Sequence, residues 1–186
     1  IKILALNIPL NSIYEGKISP LILTIYYNYC NVFNILLSRG FDINASDDMF
    51  NNMNPLMWAI EKNNEYMIER LLSFEHLDLF FRNKYNENIL FFMGINMTNL
   101  SLFKRIIDMM IEKDKEKFIY YLCSNKNKEC DKYDQTKSPI HCCFQYLNQY
   151  DDRINDKNYH TKLTLQKIKI YLNNIINYNK DLVKYY

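Results

Sequence analysis

The 186-residue, 22.6 kDa chain is 48% hydrophobic and 15% aromatic, which is ample apolar material for a core in one domain or one repeat array. Lys and Arg number 23 against 21 Asp and Glu, a formal charge of +2, and this near balance argues against a chain built mainly to coat nucleic acid or a membrane surface. Three glycines and four prolines are poor material for phosphate cradles, turn-rich barrels or flexible linkers, and the heavy use of Asn, Ile, Lys and Tyr reads as the mark of AT-biased coding.

The chain starts at Ile1 rather than methionine, so a fragment of a longer protein is expected. No charged leader followed by an apolar block and a small-residue cleavage site points to secretion. The first strong signal is Ser19-Pro20-Leu21. It recurs as Asn54-Pro55-Leu56 after 35 residues, as a degraded Asn88-Ile89-Leu90 after 34 more, and as Ser138-Pro139-Ile140 after a further 50. Each occurrence precedes two apolar stretches with helical spacing, split by a polar, Asn-containing break. They are Leu21–Tyr27 with Val32–Leu37, Leu56–Ile60 with Met67–Leu72, and Leu90–Met93 with Leu100–Met110. Helix pairs of this size cannot bury an apolar face alone, so they must stack. The run Leu21 to Leu37 is interrupted by Thr24, Asn28, Asn31 and Asn34, and no membrane span is expected.

Ser19 through Ala45 resembles an ankyrin repeat from end to end without a gap. Ser19-Pro20-Leu21 stands where that family has Thr-Pro-Leu, Ile35-Leu36-Leu37 where it has the outer-helix leucines, and Gly40-Phe41-Asp42-Ile43-Asn44 where it has Gly-Ala-Asp-Val-Asn. The resemblance implies an all-α, ankyrin-like solenoid of helix-turn-helix repeats joined by loops or short hairpins. It reads as a single domain over residues 1–186, with 1–15 the tail of a preceding repeat (Asn7-Ile8-Pro9-Leu10-Asn11). Residues 16–50 and 51–84 are the first two repeats, 85–133 a third with an insertion, and 134–186 a divergent fourth with its C-terminal cap. Elementary chemistry agrees at several positions. Proline suits a first helical turn, Ser19 and Ser138 can accept from the amides of that turn, and Gly40 can close a helix in a left-handed conformation. Departures are expected too. Glu75-His76-Leu77-Asp78 replaces the glycine region and needs a reshaped turn. Asn99 looks like an added residue between two helices, and Phe118–Leu122 an extra helical turn or a lengthened outer helix.

Chemistry-bearing clusters are few. His141-Cys142-Cys143 invites a nucleophile or metal reading, but adjacent helical residues diverge by about 100°, and the resemblance makes His141 a structural motif residue. A clasp of Cys123, Cys130 and His141 on a metal is the lesser alternative, and five cysteines without C-x-x-C spacing favour a reducing compartment. His76 and His160 are isolated. Glu112 to Lys117 alternates in sign and reads as a solvated helix face. From His160 to Tyr186 five lysines face one Asp, and this tail could touch RNA or anionic lipid, though a solvated amphipathic helix is the preferred account. No phosphate-loop, dinucleotide, nucleophile-elbow or zinc-protease motif occurs. No enzyme activity, cofactor, metal or small-molecule substrate is therefore expected.

The most informative expectation concerns a face. In the implied register the inner helices expose positions three, six and seven residues after each motif proline. These are Leu23, Tyr26 and Tyr27; Trp58, Glu61 and Lys62; Phe92, Ile95 and Asn96; and Cys142, Gln145 and Tyr146. An open side carrying Trp, Tyr and Phe has the make-up of a binding hot spot; the competing reading is that a shifted register buries these rings. The loops at Asp47-Asp48-Met49-Phe50 and Lys84-Tyr85 form a second candidate surface. The expected function is non-catalytic capture of another protein or protein complex through this concave face and the inter-repeat fingers, in the cytoplasm or nucleus. The alternatives are the targeting region of a larger enzyme and a subunit of a ribonucleoprotein.

Overall fold

The computed structural model describes residues 18–48, 51–96 and 99–123, with isolated helical positions at 170, 173, 174 and 177. Two compact units divide the chain, residues 1–84 and 85–186. The first contains α1 (Pro20–Tyr26), α2 (Cys30–Ser38), α3 (Pro55–Glu61) and α4 (Glu65–Leu72). The second contains α5 (Ile89–Asn96), α6 (Leu100–Lys113) and α7 (Lys115–Cys123). Among the described residues there is no strand, and the architecture is all-α.

Helix starts follow local chemistry. Pro20 and Pro55 open α1 and α3, where a missing N–H is harmless. The Ser19 hydroxyl accepts from the Leu21 N–H at 3.3 Å and the Asn54 carboxamide from Met57 at 2.9 Å. Asn64 caps α4 in the same way, accepting from Met67 at 3.1 Å. Asn99 is the cap of α6, accepting from the Leu102 N–H at 3.1 Å, and the expected extra residue shows as eleven positions from Asn88 to Asn99 where Asn54 to Asn64 spans ten. The proline-less third unit is started by Asn88, whose side chain accepts from Leu90 at 2.9 Å.

Helix ends explain the composition. After α2, Gly40 sits at φ 74°, its N–H bonded to the Leu37 carbonyl while the Phe41 N–H reaches back to Leu36. That pair of bonds is a Schellman closure. The same closure ends α1 and α3 with asparagine in glycine's place. Asn28 (φ 57°) bonds Ile25 while Tyr29 bonds Thr24, and Asn63 (φ 49°) bonds Ile60 while Asn64 bonds Ala59. Asparagine tolerates the left-handed region better than other side chains because its short amide satisfies itself locally. Glycine scarcity is thereby met by asparagine. After α4 no residue from Ser73 to Asp78 takes a positive φ, so the Glu75-His76-Leu77-Asp78 turn is indeed reshaped.

Gly40 tests this account. A Cβ at residue 40 would meet nothing within 4 Å, so only the backbone conformation opposes a side chain. Gly40→Ala is expected to lower stability by about 1–2 kcal/mol. Gly40→Asn should cost less than Ala, as read by urea unfolding monitored by circular dichroism.

In the first unit α1 packs on α2 and on α3, and α3 packs on α4, giving an inner pair backed by an outer pair. The outer helices bury one stripe each, Phe33, Leu36 and Leu37 from α2 and Met67, Ile68, Leu71 and Leu72 from α4. By contrast α3 is buried at every position from Pro55 to Ile60. Polar bonds join corresponding parts of the two repeats. Asn64 Nδ2 donates to Asn28 Oδ1 at 2.8 Å, Asn34 Nδ2 to the Tyr66 hydroxyl at 2.7 Å, and Asn44 Nδ2 to the His76 carbonyl at 2.9 Å, with Asp78 N–H returning to Asn44 Oδ1 at 2.8 Å. Two repeated Asx turns, Asp42 onto the Asn44 N–H and Asp78 onto Phe80, shape the connecting loops.

In the second unit, Phe118–Leu122 is neither an added turn nor an extension. It belongs to a separate helix, α7, which packs on α6 and buries Phe118, Ile119 and Leu122. The break is Asp114, extended at φ −164° and ψ 95°, whose carboxylate accepts from the Lys117 N–H at 2.9 Å. Glu112 to Lys117 is exposed as expected, yet it spans this break rather than one helix face. The expected fourth unit and cap, including Cys130, His141, Cys142, Cys143 and Gln145, lie outside the described residues apart from those four isolated positions.

Candidate functional site

The positions expected on an open face separate into two groups. Those at the helix ends are exposed: Tyr26 (45%) and Tyr27 (57%) on α1, and Glu61 and Lys62 at the end of α3. Those in mid-helix are not. Leu23 is half-buried, and Trp58 and Phe92 are each only 7% exposed, which corrects the expectation that these rings stand open. The reason differs between them. Trp58 belongs to the helix that is covered on all sides, with the Tyr26 ring edge-on at 5.6 Å and its indole N–H donating to Asp47 Oδ2 at 2.8 Å. Phe92 belongs to α5, whose sequence Ile-Leu-Phe-Phe-Met-Gly-Ile-Asn offers no polar stripe; Ile89, Leu90 and Met93 are buried beside it, and Phe91 stands edge-on at 5.7 Å. Asn96 is half-buried; the side chain of Ile95, and Met49, Phe50 and Tyr146 altogether, lie outside the described residues.

The loop candidates are corrected in one respect. Asp47 is no surface residue: it is fully buried, accepting from Trp58 and from the Met53 N–H at 3.1 Å, while its own N–H bonds the Met53 carbonyl at 3.0 Å. Asn51 and Asn52 follow at φ 66° and 58°, consecutive left-handed residues in the loop that Asp47 and Met53 close. The finger is thus tied to the mid-helix tryptophan by a buried carboxylate. Lys84 is exposed and donates its N–H to the Asn51 carbonyl at 2.9 Å, and Tyr85, in the second unit, is half-buried.

What remains open in the first unit is an aromatic cluster at the helix ends. Tyr27 contacts Tyr26 edge-on at 5.1 Å and stacks on Tyr29 at 5.7 Å with 21° between the rings; Tyr29 is 57% exposed. The Lys62 ammonium lies 4.3 Å from the Tyr26 ring centre and 5.7 Å from that of Trp58. Beside the cluster runs an open groove of about 550 Å³ between the α1–α2 and α3–α4 turns, with Asn28, Cys30, Asn64, Glu65 and Tyr66 on its walls. Tyr29, Tyr66 and the groove asparagines escaped the sequence reading because counting from the proline stops at the helix end. The signal that could have found them is the recurrence of Asn28 as Asn63, 35 residues later.

Among the described residues no group of His, Cys, Asp and Glu could hold a metal ion, and no helix is long and apolar enough to cross a membrane. The family model for ankyrin repeats (3 copies) matches residues 21–116, just over half of the chain. No curated protein matches the sequence.

Proposed function

Because the chain belongs to the ankyrin-repeat family, whose all-α solenoids are generally protein–protein interaction modules and typically non-catalytic, we propose that it is a scaffold that captures a partner protein with the helix ends and fingers of its inner face. The observation that carries this reading is the exposed Tyr26–Tyr27–Tyr29 cluster. Three large rings held in mutual contact in water offer much contact area with few rotatable bonds to immobilise. The partner meets a surface already formed, so little ordering opposes binding. The working surface on this reading is Tyr26, Tyr27, Glu61 and Lys62 with Tyr29 added, while Trp58 supports it from beneath. A cytoplasmic location goes with the proposal.

Affinity capture tests it. The full chain should retain a defined set of proteins from a native extract, and the double variant Tyr27→Ala, Tyr29→Ala should lose that set. Both rings are 57% exposed, so the helical circular-dichroism signal should not change. Retention of the same set by the folded variant would remove this surface from the proposal.

A further inference from the structure

The tyrosine cluster has an electrostatic character that narrows what it can receive. The face of a tyrosine ring is the negative side of its quadrupole and attracts cations. The protein already uses that property, with Lys62 Nζ held 4.3 Å from the Tyr26 ring centre. The surroundings reinforce it. From Ile18 to Lys84 the sequence holds eight carboxylates against five Lys and Arg, although the whole chain is formally +2. That stretch has a formal charge of −3, with Glu61 exposed at the end of α3 and Glu65 on the groove wall. The adjoining groove is lined by Asn28, Asn63, Asn64, Glu65 and Tyr66 together with Lys62; Asn28, Asn64 and Tyr66 already accept from Asn64, Met67 and Asn34, so a further N–H donor there meets their second lone pairs.

We infer that this platform seats the guanidinium of an arginine carried by an extended basic segment of the partner protein. The stacked Tyr27–Tyr29 pair is the seat, and the groove takes the donors that flank it. Arginine fits better than lysine because its planar, weakly hydrated head stacks on a ring and presents several N–H donors at once. The inference rests on the protein-capture reading above and deepens it.

One consequence is specific. Lys62 is an internal competitor: it occupies the Tyr26 face and repels a second cation nearby. Removing its charge should strengthen binding of a cationic ligand and weaken binding of an anionic one, so the sign of the effect separates the two.

The test uses the full chain and its single tryptophan. Trp58 stands 5.6 Å from Tyr26 and 5.7 Å from Lys62, so its emission reports on the cluster. Synthetic Gly/Ser peptides carrying several Arg, Lys or Glu residues are titrated in turn. The Arg peptide should change the emission saturably and bind more tightly than the Lys peptide. Binding should weaken as salt is raised, and the Glu peptide should not bind. Lys62→Met should tighten the Arg peptide several-fold. The pair Tyr27→Phe, Tyr29→Phe should bind as the unaltered chain does, because the ring faces remain. The pair Tyr27→Ala, Tyr29→Ala should lose the response. Binding of the Glu peptide, weaker Arg binding after Lys62→Met, or an undiminished response in the Ala pair would each overturn the assignment. If the Ala pair loses its captured proteins while the Arg peptide fails to bind, the arginine assignment falls and the protein-capture proposal stands.

Discussion

Replacing Trp58 with alanine should lower the unfolding free energy by about 3–5 kcal/mol, the range for truncating a buried aromatic to Ala. Trp58 is 7% exposed in the middle of a helix whose neighbours Leu56, Met57, Ala59 and Ile60 are all buried. The substitution opens a cavity beneath Tyr26 and Lys62, whose side chains can close only its outer edge while the buried helix around it stays in place. It also leaves the buried Asp47 carboxylate without its indole donor. Trp58→Phe separates the two effects, since it keeps most of the ring volume and removes the N–H; about 1–3 kcal/mol of the loss should remain. Urea unfolding followed by far-UV circular dichroism measures both. A loss under about 1 kcal/mol for Trp58→Ala would mean that the indole is a surface group after all.

Asp47→Ala should cost about 3 kcal/mol, because it orphans two donors together, the Trp58 indole and the Met53 amide. Asp47→Asn keeps one acceptor oxygen and should cost roughly half as much. The two residues act as a unit, so the effects should not add. In a Trp58→Phe background the cost of Asp47→Ala should fall by about 1 kcal/mol, since the indole donor is already gone. A local readout distinguishes the buried link from general destabilisation. Hydrogen exchange at the Met53 amide, which needs Asp47 as acceptor, should accelerate more than exchange at amides of α4. Equal acceleration at both would show that Asp47 holds no finger in place.

The repeat organisation was legible because its signals are local. Proline after a capping residue, followed by apolar residues at helical spacing, places α1 and α3 without any knowledge of their neighbours. The apolar stretches around Phe33, Met67 and Leu102 do the same for α2, α4 and α6. The asparagines were harder to read. Asn28, Asn63, Asn64 and Asn99 looked like breaks or additions, because one residue type serves as left-handed closure, as helix cap and as inter-repeat bond. Which role it takes depends on the backbone at that position, and composition does not carry that. Asp114 similarly resembles any other charge in an alternating run until its extended backbone divides α6 from α7.

For the surface, angular position around a helix was readable and coverage was not. Counting three, six and seven residues from Pro20 and Pro55 put Tyr26, Tyr27, Glu61 and Lys62 on a common side, and they are exposed there. The same count put Trp58 on that side, where a carboxylate eleven residues earlier and a tyrosine from the preceding repeat cover it.

Sequence alone therefore determined the helix pairs and their spacing, since capping, proline geometry and apolar periodicity act within a few residues along the chain. It also placed Tyr26, Tyr27, Glu61 and Lys62 on a common side of the inner helices. Only the tertiary structure decided which rings are core and which are surface, because burial depends on side chains that arrive from distant positions. Trp58 became part of the core once Asp47 and Tyr26 met it. Tyr27 and Tyr29 stayed in water because no comparable contact covers them, and that difference locates the candidate site.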